Sequence, residues 1–202
     1  MKRVLVTGAS GFVGKRLCEH LENRGYDVAR VVRRADNAKN NTYSVGNIGP
    51  DTHWEAIVTD VDVVVHLAAR VHVMDDNTAE PLAEYRRVNV NGTEKLALAA
   101  AGAGVRRFIY VSTIKVNGEA TFGQPFFATD TPHPVDDYAR SKLEAELSLQ
   151  RIAADRGFEV VIVRPPLVYG PGVKANFLRL FNWVGRGVPF PFLSIANSRS
   201  LV

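Results

Sequence analysis

The sequence predicts an α/β fold in which helices cover both faces of a doubly wound parallel sheet. Three observations lead to this prediction. Short strand-like segments alternate with longer helical ones, as they do when crossover helices join parallel strands. The strand-like segments are apolar, β-branched runs such as Val4-Leu5-Val6, which is typical of strands buried on both faces. A glycine-rich turn follows the first strand directly and opens a helix.

Each predicted element follows from a local pattern. The helices are amphipathic or alanine-rich and stop at glycine: the longest central one at Gly102 and Gly104, the next at Gly157, with Asp136 or Asp137 as its N-terminal cap. A loose segment rich in asparagine and glycine follows the second strand. The predicted strands are 3–7, 27–32, 61–67, 107–112 and 159–164, and the predicted helices are 12–24, 52–59, 81–103, 136–156 and 176–184.

The glycine-rich turn has the spacing of a site for the pyrophosphate of a dinucleotide. It runs Thr7-Gly8-Ala9-Ser10-Gly11-Phe12-Val13-Gly14. The first glycine permits a tight bend, the second lets backbone approach phosphate, and the third lets the helix pack on its strand. Free N–H groups and the positive end of the helix would then face the pyrophosphate. Because glycine-rich turns are common, an ordinary strand–helix turn is the alternative interpretation.

Positive charge after the second strand favours NADP over NAD. Enzymes that prefer NAD place an acid there to bond the ribose 2′-hydroxyl. This chain has Val32 at that position, followed by Arg33 and Arg34, and a cation attracts the 2′-phosphate that an acid would repel. Two solvated surface arginines are the alternative. Further residues are expected beside the adenine and ribose: Asn47, Ile48, Leu67, Ala68 and Ala69.

A tyrosine and a lysine one helical turn apart are the candidate reactive groups. Tyr138 and Lys142 open the helix that follows the strand ending at Ser112, and open α/β sheets bind ligands at the carboxyl ends of their strands. A free phenol titrates at about pH 10, and a neighbouring ammonium lowers that pKa. Tyr138 would then take or return a hydroxyl proton, Thr113 would donate a hydrogen bond, and hydride would pass to or from a nicotinamide. A surface Tyr–Lys pair is the alternative.

Composition argues against several other classes of function. The chain has 202 residues, 46% of them hydrophobic, and a net charge of +4 without long basic runs, which argues against nucleic-acid binding. Its single cysteine, Cys18, suits a reducing cytoplasm and a packing role. The histidines show no metal-ligand spacing, and no apolar run approaches the roughly 18 residues of a membrane span. We therefore expect a cytoplasmic protein without metal, nucleic-acid partner or membrane insertion.

Taken together, these motifs resemble the extended short-chain dehydrogenase/reductase family, and within it the nucleotide-sugar (UDP-hexose) 4-epimerases, dehydratases and 4-ketoreductases. The likeness covers essentially the whole chain, and it includes the glycine turn and the set Thr113, Tyr138 and Lys142. It implies a Rossmann-type NAD(P)-binding domain and hydride transfer at C4 of a nucleotide-linked (UDP-) sugar, with the tyrosine as acid and base. It also implies Val111 and Pro165 as cofactor contacts.

The resemblance assigns substrate contacts as well. The predicted substrate contacts are Arg70, just past the central strand, with Lys115, Asn117, Tyr138, Asn176 and Arg199, and of these Asn176 and Arg199 correspond to the family's contacts with the nucleotide diphosphate. Arg70 could equally cover the edge of the sheet. Two departures, the arginines after Val32 and the asparagine at position 117, favour the NADP-using 4-ketoreductase branch over NAD-retaining epimerases. Such reductases serve the synthesis of bacterial surface polysaccharides.

Two regions are expected along the chain. Residues 1–165 form the NAD(P)-binding domain, and residues 166–202, punctuated by glycine and proline, form the beginning of a substrate-binding lobe that is expected to be incomplete. The motifs are compatible with an epimerase and with a net reductase. A homodimer is a candidate assembly for either enzyme. Two other functions stay open: an NADP-binding sensor or scaffold without turnover, and a reductase of a small ketone or aldehyde.

Overall fold

One parallel sheet organises the part of the chain that the structure, a computed structural model, describes: residues 2–34, 41–71, 80–121, 123–173, 175–187 and 198–202. Every neighbouring pair of strands is parallel, and the order across the sheet is 3-2-1-4-5-6. The strands are β1 (Arg3–Thr7), β2 (Asp27–Val32), β3 (Thr42–Ser44), β4 (Val63–His66), β5 (Arg107–Val111) and β6 (Glu159–Val163).

The strand order places a switch point at the centre of the sheet. The chain winds outward from β1 to β3 on one side and from β4 to β6 on the other, so β1 and β4 are neighbours whose following loops diverge. Thr7 and His66 are register partners at the carboxyl ends of these two strands. Ligands of doubly wound sheets bind in the crevice at such a point, and the predicted Rossmann-type architecture is confirmed.

Helices connect the strands, and one of them is interrupted. The described helices are α1 (Phe12–Asn23), α2 (Pro81–Tyr85), α3 (Gly92–Gly102), α4 (Asp137–Arg156) and α5 (Ala175–Gly185). A π-helical segment, Arg86–Asn91, joins α2 to α3, so the single helix predicted over 81–103 carries a π-helical turn in its middle. A 3₁₀ turn, Ile114–Val116, follows β5. Among the described residues, no helix combines the length and apolarity needed to cross a membrane.

Two hydrophobic clusters are built from alternate residues of the central strands. Leu5 of β1 belongs to the larger cluster, with Trp54, Phe108 and Leu149, whereas its neighbour Val4 belongs to the other. Successive side chains of a strand point to opposite faces of the sheet, which explains this division. The second cluster also includes Val6, Val28, Val65 and the buried Cys18 of α1. Both faces of the sheet are therefore covered.

Two sequence-based assignments differ from the structure. The helix predicted over 52–59 is wrong: the segment forms turns, in which the N–H groups of Ile57 and Val58 donate to the Trp54 carbonyl, and Asp60 then takes a left-handed conformation with φ of 58°. The loose segment after β2 contains the short strand β3, which pairs with β2 at the edge of the sheet. Three residues carry too little pattern to reveal a strand.

The chain divides into two compact units, Met1–Arg164 and Pro165–Val202. The second unit contains α5 and an isolated parallel bridge between Leu167 and Leu201. In that bridge, the N–H of Tyr169 donates to the Val202 carbonyl at 2.9 Å and the N–H of Val202 donates to the Leu167 carbonyl at 3.1 Å.

Candidate active site

The glycine turn after β1 is so tightly packed that side chains would not fit. Gly8 has a φ of +66°, and a Cβ there would lie 3.0 Å from the backbone nitrogen of Ala68. A Cβ on Gly14 would lie 2.2 Å from the Gly8 carbonyl oxygen, far inside van der Waals contact. The N–H of Gly11 donates to that same carbonyl at 2.9 Å and closes the turn. The backbone of α1 therefore lies directly against the end of β1, as the spacing of the glycines predicts.

The N-terminus of α1 has the properties of an anion site. Gly11 is its N-cap and has no side chain to bond the first N–H groups, and the first turn carries no acidic residue. Ser10 and Gly11 are exposed, and Phe12 and Val13 are 37% and 40% exposed. First-turn N–H groups without a side-chain cap, together with the helix dipole, favour a negatively charged group. These residues consequently fit the pyrophosphate of a dinucleotide.

A neutral histidine links the two central strands at the switch point. The Thr7 hydroxyl accepts from the N–H groups of Leu67 and Ala68, both at 3.2 Å, so its proton is donated to His66 Nδ1 at 2.7 Å. The Thr93 hydroxyl donates to the Asn89 carbonyl at 2.7 Å and accepts from His66 Nε2 at 3.0 Å. This pattern fixes the tautomer with the proton on Nε2. Burial, reinforced by the Lys142 charge, lowers the pKa of His66 to about 3.

Asn89, in the π-helical segment, ties three parts of the site together. Its amide accepts from the Arg70 N–H at 2.8 Å and donates both to the Arg70 carbonyl and to Ser141 Oγ at 3.0 Å. Ser141 Oγ in turn donates to the Tyr138 carbonyl at 2.7 Å. The Arg70 guanidinium carbon lies 5.8 Å from the centre of the Tyr85 ring. The loop after β4, the interrupted helix and the first turn of α4 are thus held in fixed relation.

Lys142 is buried below the carboxyl end of β5. Its side chain is 1% exposed, and Nζ donates to the Val111 carbonyl at 2.8 Å and lies 4.0 Å from the centre of the Tyr110 ring. Burial lowers its pKa to about 7, against the opposing effect of the Glu146 charge. At neutral pH such a lysine is present in both its charged and its neutral form, so it can gain or lose a proton during a reaction.

Tyr138 is half-buried in the first turn of α4. Its ring centre lies 6.1 Å from that of Tyr85. Burial raises its pKa to about 12, the Asp136 charge adds to the rise, and Lys115 opposes it. The expectation of a lowered phenol pKa is therefore wrong for this form of the protein, because the cost of burying a phenolate dominates. The Tyr138 charge also contributes to the raised pKa of the buried Tyr110, the ring that Lys142 contacts.

Thr113 begins the 3₁₀ turn that follows β5. Its Oγ1 accepts a hydrogen bond from the N–H of Lys115 at 3.3 Å, a contact that does not use the hydroxyl proton. The Lys115 ammonium lies 2.7 Å from Asp136 Oδ2 and 3.0 Å from Glu119 Oε1. Lys115, predicted as a substrate contact, is thus paired with two carboxylates.

A buried ion pair behind Lys142 escaped the sequence-based prediction. Glu146 is 1% exposed, and both of its oxygens accept from Arg164 Nε at 3.1 Å. Arg164 Nη1 donates to the Asn117 side chain at 3.0 Å, and the Asn117 amide donates to the Phe127 carbonyl at 3.0 Å. Both ends of Asn117, another predicted substrate contact, are therefore engaged within the fold. The available signal was spacing, since Glu146 follows Lys142 by one helical turn.

The other predicted residues are distributed around the sheet and the second unit. Arg33 and Arg34 are exposed just after β2, and the Arg33 carbonyl accepts from Ser44 Oγ at 3.2 Å. Asn47 is exposed, whereas Ile48 packs in the larger hydrophobic cluster. Three predicted residues belong to the second unit: Pro165 is half-buried, Arg199 is exposed, and Asn176 lies on α5 with its side chain outside the described part.

Comparisons with known sequences identify the family. Residues 4–181 match the model of the NAD-dependent epimerase/dehydratase family. The chain is 51% identical to a UDP-glucose 4-epimerase of Vibrio cholerae, over 100% of this chain and 62% of that relative. It is 36% identical to a dTDP-D-glucose 4,6-dehydratase of Mus musculus, over 84% of this chain and 51% of that relative. The chain thus spans between about half and two thirds of the length of these relatives.

Solved structures of similar fold support the same family. MoeE5 in complex with UDP-glucuronic acid and NAD superimposes with a TM-score of 0.78 at 32% identity, over 93% of this chain and 63% of that chain. A UDP-glucuronic acid 4-epimerase from Bacillus cereus in complex with NAD gives 0.77 at 26% identity, over 93% and 64%. The chain therefore belongs to the NAD-dependent epimerase/dehydratase family, within the extended short-chain dehydrogenases/reductases.

Proposed function

We propose that this chain is the cofactor-binding part, with some of the substrate-binding part, of an NAD(P)-dependent enzyme that acts at C4 of a UDP-linked sugar. The observation that carries the proposal is the burial of Lys142 beside Tyr110, on the helix that bears Tyr138. Placing an ammonium out of water is costly, so a merely structural lysine is rarely found in this position. The kinship with UDP-sugar epimerases, whose solved relatives hold UDP sugars and NAD, supports the choice of substrate.

The turn from Gly8 to Gly14 and the first N–H groups of α1 would hold the pyrophosphate, and the loop after β4 would adjoin the ribose. When bound, the nicotinamide would accept or supply the hydride at C4. We also propose a role for each region. Residues 1–165 bind the cofactor, and residues 166–202, with Asn176 and Arg199, form the first part of the site for the sugar nucleotide.

Residues of this chain would transfer the proton to and from the C4 oxygen. With a pKa of about 12, Tyr138 carries its phenolic proton at neutral pH and would donate it to the C4 oxygen when a ketone is reduced. Thr113, whose oxygen accepts from the N–H of Lys115, would donate a hydrogen bond to the same oxygen without transferring its proton. In the reverse direction Tyr138 must lose its proton, and the Lys142 charge would favour the resulting phenolate. An epimerase would use both directions in turn and a net reductase one of them.

Tyr138→Phe tests the proposed chemistry. The full-length variant should lose several orders of magnitude in the interconversion of UDP-glucose and UDP-galactose, or in reduction of a UDP-4-keto sugar, because Thr113 supplies only a hydrogen bond and no acid remains to transfer a proton to the C4 oxygen. NAD(P) affinity, measured by titration calorimetry, should change little. Tyr26→Phe is the matched control at an exposed tyrosine and should leave turnover unchanged. Wild-type turnover by the Tyr138 variant, or binding of cofactor without any UDP-sugar reaction, would refute the proposal in favour of a sensor.

Preference for NADP is a second part of the proposal. Arg33 and Arg34 are exposed after β2, where the adenosine ribose of a bound dinucleotide is expected, although the solved relatives hold NAD. We expect the wild type to bind NADP at least about 10-fold more tightly than NAD, and Arg33→Ser to remove most of that difference. Equal affinities in the wild type would show that the chain uses NAD like those relatives.

A homodimer and a cytoplasmic location complete the proposal. Leu98 of α3 and Leu147 of α4 are 44% and 50% exposed and offer apolar surface to a second copy. Sedimentation velocity on the full-length protein tests the assembly. The sequence has a single cysteine, Cys18, and so contains no disulfide within itself that would need an oxidising compartment; fractionation of the source cells tests the location.

A further inference from the structure

Lys115 and Asp136 join the two elements that carry Thr113 and Tyr138. Lys115 lies in the 3₁₀ turn that Thr113 begins, and its Nζ lies 2.7 Å from Asp136 Oδ2. The two side chains are 34% and 25% exposed, so water screens them less than a fully exposed pair. Glu119, on the same loop as Lys115, accepts from its other side at 3.0 Å.

Asp136 also caps the N-terminus of α4. Its Oδ1 accepts from the Ala139 N–H at 2.6 Å, which makes it the N-cap, and its carbonyl accepts from the Arg140 N–H at 2.9 Å. Tyr138 lies inside this capped turn. One carboxylate therefore fixes the turn that carries the phenol with one oxygen and binds the Thr113 turn, through Lys115, with the other.

The same pair places opposite charges beside the phenol. The Asp136 carboxylate raises the pKa of Tyr138, and the Lys115 ammonium lowers it. Tyr85 from α2, whose ring centre lies 6.1 Å away, and Tyr110 from β5 also interact with Tyr138, and its own helix carries Asp137 and Lys142. Lys115 therefore favours the phenolate and opposes both burial and the Asp136 charge.

We propose that Lys115 and Asp136 are positioning residues: their ion pair holds Tyr138 in register with Thr113 and balances the charge at the phenol. The inference deepens the proposed function, on which it rests, and it gives Lys115 a role other than direct contact with substrate. Because each partner has its own sign, removal of one should move the titration of Tyr138 in the direction opposite to removal of the other.

Two substitutions test this. Asp136→Asn removes the negative charge but keeps a side chain that can cap the helix. Lys115→Met removes the positive charge but keeps a side chain of similar length. In the full-length protein, the Tyr138 titration is followed by NMR of ring-labelled tyrosine, assigned with Tyr138→Phe, and by the pH dependence of kcat/KM. We expect the Asp136 variant to shift the titration down and the Lys115 variant to shift it up, each by roughly half a pH unit or more.

Three further proteins make the result decisive. The double variant should titrate close to the wild type yet turn over more slowly, because the link between the two turns is lost. Lys115→Arg, which keeps the charge, should retain the wild-type titration, and Lys115→Gln replaces Lys115→Met in the comparison if the latter does not fold. Lys95→Met, at an exposed lysine 3.9 Å from Glu55, should leave the titration of Tyr138 unchanged.

Shifts in the same direction, or none, in folded variants would overturn the inference. The NMR titration does not depend on turnover. A wild type without UDP-sugar activity would therefore count against the proposed function alone, whereas unchanged titrations in an active enzyme would count against the role of the ion pair alone.

Discussion

Replacement of Lys142 by methionine should stabilise the folded protein at and below neutral pH while it abolishes turnover. The side chain is 1% exposed, and burial moves its pKa from 10.5 to about 7. At about 1.4 kcal/mol per pKa unit, that displacement corresponds to a cost on the order of 5 kcal/mol for folding with a charged lysine. Methionine has a similar length, no charge and no such cost.

Part of this gain is offset by contacts that the variant loses. The ammonium donates to the Val111 carbonyl and lies over the Tyr110 ring, and contacts of these kinds contribute together about 2–3 kcal/mol. We therefore expect Lys142→Met to raise the free energy of unfolding by roughly 2 kcal/mol below about pH 7.

The pH dependence of this gain is the sharper test. The folded pKa of Lys142 is depressed, so between about pH 7 and pH 10.5 the unfolded chain binds up to one more proton at this residue than the folded chain. The unfolding free energy of the wild type therefore rises with pH across that window by up to about 1.4 kcal/mol per unit from this group, whereas the variant lacks this contribution. The advantage of Lys142→Met should shrink across the window and reverse about 1.5 pH units above its lower end, near pH 8.5.

Urea unfolding of both proteins at a series of pH values from about 6 to about 10 measures the difference. Lys15→Met, at an exposed position of α1, is the matched control and should show no pH-dependent difference from the wild type. A difference between wild type and Lys142→Met that stays constant across the series, or a variant less stable at pH 6 than at pH 10 relative to wild type, would refute the reasoning.

Two further predictions concern the glycine turn and the ion pair behind Lys142. Gly14→Ala should weaken binding of NAD(P) by at least about 10-fold in titration calorimetry, because the added Cβ would meet the Gly8 carbonyl. Gly102→Ala, in open space at the end of α3, is the control: it should bind NAD(P) normally and gain up to about 1 kcal/mol in stability. Equal affinities of the two variants would contradict the packing described. Glu146→Gln leaves Arg164 without its carboxylate and should lower the unfolding free energy by about 3–5 kcal/mol; a loss below about 1 kcal/mol in urea unfolding would show that the pair is replaceable.

The order of the elements could be predicted because it depends on patterns within each segment. Apolar runs such as Val4-Leu5-Val6 and the glycine stop at Gly157 are local signals, and β1 and α4 lie within a residue of the predicted bounds. The helix expected over 52–59 shows the limit of such signals. Trp54 and Val58 have helical spacing, yet a single closed turn satisfies it. Spacing alone does not tell how many turns follow.

What escaped prediction depends on residues brought together from distant parts of the chain. The pairing of Glu146 with Arg164 requires the end of β6 to lie against α4, and the strand β3 exists through its bonds to β2. The raised pKa of Tyr138 likewise follows from burial, which a motif does not reveal. The candidate reactive residues could be named from the sequence, but the charges that govern them could not.

The π-helical segment Arg86–Asn91 acts as a phase shift within its helix. A π-turn holds more residues than an α-turn, so side chains before and after it are offset around the common axis. If the same residues bonded as an ordinary α-helix with no change in chain length, Tyr85 would be rotated by about 100° relative to Leu96. Deletion of one residue together with α-helical bonding would return the two side chains to nearly their present relation. At this place, the number of residues and the bonding pattern are therefore matched to each other.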